Sequence, residues 1–300
     1  MEIIKHRKIY FSISTILFLG SLLSLLVFGL KLGIDFTGGS LIEIEFLQER
    51  LSNQEIQEKL NDLSIDGTGL ELGQINFQPT EEKGLILKLK DINEETHQNI
   101  LMKIGQGQII EKRFESIGPL IGQELKSKAY WAIILSLIFI VIYIAWAFRK
   151  VSQPIASWQY GLVAIIALFH DLFITIGFFS IFSHFKAIEI DLSFVAAFLT
   201  ILGYSVNNSI VIFDRARENL LRTNWTDFKK VINKSVNQSL TRCLNTAITT
   251  LFVLLAIFFL GGQSIKYFSL ALIIGIIIGT YSSIFITSSL IVVWQKRKYR

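Results

Sequence analysis

Gly203-Tyr-Ser-Val-Asn-Asn-Ser-Ile-Val-Ile-Phe-Asp-Arg-Ala-Arg-Glu-Asn-Leu220 changes character halfway along its length. The first half continues an apolar run that starts at Leu192, yet it carries two adjacent amides, Asn207 and Asn208. The second half leaves that run abruptly into Asp214, Arg215, Arg217 and Glu218. Polar side chains at membrane depth are costly, and by default they face a bundle interior and mark a working site. The stretch therefore predicts a helix that crosses a membrane, carries polar groups inside it and ends in water.

Five more apolar stretches surround it. Together they cover residues 9–30, 129–148, 158–182, 192–213, 244–260 and 268–294 in a chain that is 51% hydrophobic. Most reach the roughly 20 residues that span a bilayer core about 30 Å thick. The fifth is short, so its helix is expected to begin upstream, near Gln238. Fold class follows: an α-helical polytopic membrane protein with six transmembrane helices. The first stretch follows Lys5, Arg7 and Lys8, but it is too long for a signal-peptide core and no small-x-small cleavage site precedes Lys31. It reads as an uncleaved first span. Arg149, Lys150, Arg215, Arg217, Arg222, Lys229, Lys230, Lys234 and the basic tail from Lys296 fall on the same side as the N-terminus, while only Lys186 and Lys266 occupy the short loops opposite. Both termini are thus expected in the cytoplasm. The net charge of +5 serves orientation and contact with anionic lipids, with no nucleic-acid partner implied. Cys243, the lone cysteine, forms no intrachain disulfide and suggests no metal site.

Residues 31–128 form the one long polar insertion and are expected to be an extracytoplasmic α+β domain. Leu41-Ile-Glu-Ile-Glu-Phe46 alternates as a half-buried strand does. Ser52-Asn-Gln-Glu55 is a capping-box pattern opening a helix, and Asn93 with Glu94 and Glu95 opens a second. Strands at 75–78 and 85–89 flank a turn at 79–84, and 108–114 supplies the last. The order strand–helix–strand–strand–helix–strand is the ferredoxin-like arrangement. Residues 129–300 then hold helices two to six. Within them, 214–238 mixes basic and apolar residues at helical spacing and is expected to be a cytoplasmic amphipathic helix.

Few groups inside the spans have chemistry. Asp171, preceded by His170, falls mid-way along the third; it is either a proton-binding group or a structural hydrogen-bonding one. Arg242 and Thr246 share a helix face at the start of the fifth, where a snorkelling arginine is the plainer reading. Gly275 and Gly279 form a GxxxG pair suited to close helix packing. Asp35-Phe-Thr-Gly-Gly39 joins the first span to the polar domain, and its paired glycines suit a hinge.

These motifs together resemble SecF, the smaller subunit of the SecDF complex of bacterial protein export. The family reads Gly-Tyr-Ser-x-Asn-Asp then Asp-Arg-x-Arg-Glu in its fourth membrane helix. It also carries Asp-Phe-Thr-Gly-Gly, and an Arg-x-x-Asn-Thr-x-x-Thr-Thr run that Arg242-Cys-Leu-Asn-Thr-Ala-Ile-Thr-Thr250 reproduces. The resemblance implies a half bundle of the RND type and a SecD-type partner. It also implies a SecYEG-type channel and a translocating preprotein as further partners, no cofactor, and a place in the bacterial inner membrane more than in a thylakoid. It implies as well that the proton gradient drives late translocation, with Asp171, Arg242, Asn208, Asn207 and Thr246 as relay or switch candidates. One departure matters. Asn208 stands where the family has aspartate, and an amide does not exchange a proton in this range. Either Asp171 carries the proton, or the partner supplies the carboxylate, or the chain is a non-coupling scaffold. An RND-like exporter half is the alternative class. An enzyme is not expected: the fifth and sixth spans hold no histidine to activate Ser205, and neither HExxH nor a phosphate-binding loop occurs.

Overall fold

The computed structural model describes residues 1–65, 72–73, 75–80, 83–105, 108–148, 156–186, 188–222 and 227–298. Among the described residues, six helices are long and apolar enough to cross a membrane. After a 3-10 turn at Ile3–His6 come α1 (Arg7–Phe28), then α5 (Pro119–Ala147), α6 (Ser157–Lys186), α7 (Leu192–Arg222) and α8 (Phe228–Leu260). The last span is composite: α9 (Gln263–Tyr281), a π-helical segment (Ser282–Thr287) and α10 (Ser288–Lys298). Long helices are what lipid demands, because every backbone N–H and C=O must be paired within its own segment.

Several helices outrun their apolar stretches. α5 starts at Pro119, where the missing N–H of proline costs nothing. α8 begins ten residues before Gln238. The separate amphipathic helix expected over 214–238 is not found. Residues 214–222 continue α7 and residues 228–238 open α8, while 223–226 lie outside the described residues, as do Arg149, Lys150 and Arg300. Between Tyr204 and Arg222 no glycine or proline interrupts the chain, so the hydrogen-bond ladder propagates past the point where apolar residues end. Asp227 then stops the backward extension of α8 by capping it, its Oδ1 accepting from Lys230 N at 3.1 Å.

The chain divides into two compact units. In the helical unit, α6, α7 and the α9–α10 span are largely buried, whereas α1, α5 and α8 keep most of their surface open. α1 approaches α6 through small residues: a Cβ on Gly177 would lie 2.3 Å from Ser21 Cβ. Close backbones let hydroxyls reach across. Ser24 Oγ donates to Gly177 O at 2.8 Å, and Ser180 Oγ donates to Gly29 O at 2.7 Å.

The second unit comprises residues 31–129 with 189–192. It holds α2 (Ile34–Thr37), β1 (Gly39–Phe46), α3 (Asn53–Ile65), β2 (Asn76–Thr80), β3 (Gly84–Leu89), α4 (Glu94–Gly105) and β4 (Ile109–Ile117). The element order is the one the sequence predicts, and the antiparallel sheet runs β2-β3-β1-β4. Ile42, Ile44, Leu85, Leu87, Ile56 and Ile100 meet in its core. The capping box forms as read, with Ser52 N donating to Glu55 Oε2 at 2.8 Å and Glu55 N to Ser52 Oγ at 3.3 Å. β2 extends through Pro79, which an edge strand tolerates. Gly38 and Gly39 enter β1 at φ +75° and +132°, and a Cβ on Gly39 would sit 2.7 Å from Leu89 O. Replacing Gly39 by Ala should therefore cost this unit on the order of 1–3 kcal/mol through backbone strain alone. Amide hydrogen exchange on the purified chain would read this as at least a tenfold loss of protection along β1 and β3, with protection in α6 and α7 unchanged.

Candidate functional site

Asp171 occupies the middle of α6 and is fully buried. A carboxylate without water needs donors from the protein. Two come from other helices: Ser205 Oγ of α7 donates to Oδ2 at 2.5 Å, and Ser282 Oγ of the π-helical segment donates to the same atom at 2.6 Å. His170 Nδ1 stands 2.9 Å from Oδ1. The three inner spans thus converge on one carboxyl group.

The π-helical segment explains part of that convergence. Its wider turn rotates successive residues less than an α-helix does, and such segments recur at functional sites. Ser282 and Ser283 both face inward and are fully buried. Ser283 Oγ donates to Ser205 O at 3.0 Å and accepts from Ser209 Oγ at 3.1 Å. A second pair of hydroxyls, Ser283 and Ser209, thus lies beside the acid along the α7 interface, joined to Ser205 through its backbone carbonyl. The Ser205 and Ser282 hydroxyls on Asp171 can each donate or accept by rotation.

Gly275 and Gly279 admit this contact. A Cβ on Gly275 would lie 2.2 Å from Ile201 Cδ1, and one on Gly279 would lie 3.0 Å from Ser205 Cβ. Asn208 is buried one turn along α7 from Ser205, its Nδ2 at 3.5 Å from Thr280 Oγ1, a long and weak hydrogen bond. The imidazole Nε2 of His170 is buried and has no hydrogen-bond partner among the described residues, and its ring stacks on Phe18 of α1 at 6.5 Å.

The other candidates lie elsewhere. Asn207, Arg242, Asn245, Thr246 and Thr249 are exposed on the helical unit, on faces turned away from Asp171. The period of α8 gives the reason: it buries Ser239, Cys243 and Ala247, which leaves Arg242 and Thr246 about a quarter-turn round, on an open flank. Thr246 and Thr249 return their hydroxyls to their own helix, donating to Arg242 O at 3.0 Å and Asn245 O at 2.9 Å. Within one chain Arg242 therefore does not pair with Asp171 or Asn208. At the end of α7, Arg215 pairs with Glu218 and Arg222 meets Glu218 at 2.7 Å; these exposed pairs are worth about 1 kcal/mol or less each. Gly33-Ile-Asp-Phe-Thr-Gly-Gly39 forms a single helical turn followed by the glycine pair, with Phe36 buried and Pro119 Cα 2.8 Å from where a Gly38 Cβ would stand.

The sequence reading missed Ser205 and Ser282 as partners of the acid, and Ser283 and Ser209 beside them. Serines at helix-interior spacing carry no signal of their own; only because two helices present Ser205 and Ser282 to one oxygen of a third do they make a site.

The family model for SecD/SecF protein export membrane proteins, C-terminal, matches residues 96–297, and the SecD/SecF GG motif matches residues 23–46. The chain belongs to the SecF family. The protein translocase subunit SecF of Thermobaculum terrenum is 38% identical over all of this chain and 95% of its own length. The corresponding subunit of Vibrio alginolyticus is 38% identical over 95% of this chain and 87% of its own. The crystal structure of SecDF from Thermus thermophilus superposes with a TM-score of 0.81 at 31% identity, covering 99% of this chain. This chain spans 39% of that SecDF chain. A second SecDF structure, in a super-membrane-facing form, gives 0.69 at 29% identity. The family is one of protein translocase subunits, and with six long apolar helices among its described residues the chain is a multi-pass membrane protein.

Replacing Asp171 by Leu strands the Ser205 hydroxyl and the His170 imidazole, at about 1–3 kcal/mol for each buried group left unpaired, and leaves Ser282 only its 3.2 Å bond to Gly279 O. Asp171→Asn keeps an oxygen that accepts both serines. Thermal unfolding in detergent should accordingly show a marked drop for Asp171→Leu and a melting temperature near wild type for Asp171→Asn.

Proposed function

We propose that this chain is the smaller half of a SecDF-type unit that uses the proton gradient, together with a SecD-type partner, to promote the late stage of protein translocation at a SecYEG-type channel. The observation that carries the reading is Asp171, buried between three helices and held by hydroxyls that can reverse direction. Protonation at Oδ2 would convert that oxygen from an acceptor of two hydroxyls into a donor, and Ser205 or Ser282 would then turn or withdraw. α7 and the π-helical segment are thereby biased between two arrangements, which is what coupling a proton to motion requires. The gradient supplies about 2.3 kcal/mol per charge for each 100 mV.

Partnership with a SecD-type chain is supported by the length relation, since this chain matches 39% of the single SecDF polypeptide. It also accounts for α8. An arginine and an amide, Arg242 and Asn245, on an open helix face are expensive against lipid and suited to a polar helix of a second subunit. Arg242, with Asn207, would then meet a carboxylate supplied in trans, which would compensate for Asn208. The positive-inside distribution favours a location of the α+β unit outside the cytoplasm, where an emerging preprotein and membrane lipids would be its neighbours. Within this reading Asn208 lines the switch and orients Thr280. Asn208 also keeps a second reading alive, that of a non-coupling scaffold.

Translocation into inverted vesicles containing the partner separates the two. A preprotein stalled after its ATP-driven stage should complete transport when a gradient is imposed. Asp171→Asn should reduce that response by about an order of magnitude, and Asn208→Asp should preserve it, because aspartate accepts from the Thr280 hydroxyl where asparagine donates. An undiminished response in Asp171→Asn would leave the scaffold reading standing.

A further inference from the structure

The connection between α6 and α7 does not behave as a free loop. Residues 189–192 pack as part of the α+β unit. Ile190 forms a parallel bridge with Leu32: Gly33 N donates to Ile190 O, and Ile190 N to Lys31 O, each at 2.8 Å. Gly33 eases that approach, since a Cβ there would stand a tight 3.3 Å from Ile190 O. Glu189 pairs with Lys88 of β3 at 2.9 Å, with both side chains mostly buried. Finally, Asp35 Oδ2 accepts from Leu192 N at 2.6 Å.

Leu192 is the first residue of α7, and the first N–H groups of a helix have no partner in their own helix. Caps are ordinarily supplied by the residue just before the helix. Here the cap comes from a segment 157 residues earlier, at the joint that leads into β1. A carboxylate at a helix N-terminus is also favoured by the helix dipole. α7 is the helix whose Ser205 holds Asp171, so the same helix carries Ser205 near its middle and receives the Asp35 cap at its first residue.

We infer that Asp35 is a positioning residue for energy coupling: by capping α7 it makes the start of that helix part of the α+β unit, so that a displacement of α7 reaches the unit directly. A shift of α7 along its axis would otherwise be taken up by the short connection after α6. With Asp35, the Leu32–Ile190 bridge and the Lys88–Glu189 pair engaged, residues 189–192 and the joint move as one body. Burial pushes the Asp35 carboxyl above the ordinary carboxylate range, and nearby Asp191 and Glu115 add to this while Leu192 N–H and Arg113 oppose it. The group therefore favours the folded state most at acid pH and less as pH rises through its raised value. Asparagine keeps the acceptor and drops the charge that burial disfavours.

The inference rests on the proton-coupled reading of Asp171, and the vesicle assay distinguishes the two. Asp35→Ala in the complex with its partner should lower the gradient response by about an order of magnitude. Partner co-purification should be retained, and Leu192 and Ser193 amides should exchange faster. Asp35→Asn should restore both exchange and response. A Leu32→Cys/Ile190→Cys pair, compared oxidised and reduced in the same sample, should transport equally well in either state. Combined with Asp35→Ala, its oxidation should recover activity by replacing the lost tether covalently. If Asp171→Asn abolishes the response while Asp35→Ala leaves it intact, the positioning role is wrong and the proton reading survives. If oxidation of the cysteine pair stops transport, or fails to rescue Asp35→Ala, the bridge must open during the cycle and the inference is overturned. If Asp171→Asn itself is without effect, the proton reading falls whatever Asp35 does.

Discussion

A carboxyl group removed from water must be satisfied by whatever the surrounding helices present, and in this protein three helices are arranged around one such group. Asp171 draws Ser205 from α7 and Ser282 from the π-helical segment to a single oxygen, with His170 at the other. Those contacts set which faces of α6, α7 and α9 look inward. They also explain why the last span departs from α-helical winding at Ser282, the position from which it reaches the acid. A departure from regular winding is costly unless something compensates, and two inward hydroxyls on buried acceptors do so here.

Small side chains make these contacts reachable. Gly275 and Gly279 bring α9 onto α7 at Ile201 and Ser205, and Gly177 brings α6 onto α1 at Ser21. In lipid the apolar surfaces of two helices gain little by leaving acyl chains for one another, so close packing and interhelical hydrogen bonds provide the association. The inner spans follow this pattern. α8 does not: it presents Arg242, Asn245, Thr246 and Thr249 on an open face.

The entry to the α+β unit is conformationally narrow at Gly38 and Gly39, and within that unit the Asp35 carboxyl accepts from the amide of Leu192.

Much of the architecture was readable from one-dimensional pattern. Six apolar stretches declared six spans because bilayer thickness and backbone pairing leave no alternative to long helices. The alternation at 41–46 and the Ser52–Glu55 capping box declared a strand and a helix because both are local in sequence. Asp171 stood out because an acid in an apolar run has few innocent explanations. Helix ends were less readable: α7 and α8 run through 214–222 and 228–238, since nothing there breaks a helix even though the apolar signal has ended. The polar partners were not readable at all. Ser205, Ser282 and Ser283 are ordinary helix residues until neighbouring helices are placed, and Arg242 pairs with Asp171 or stands apart depending on a rotation of α8 that no local pattern specifies. Hydrophobicity and backbone pairing act along the chain and can be read from it; the donors that satisfy a buried charge lie far apart in sequence, and only packing brings them to one atom.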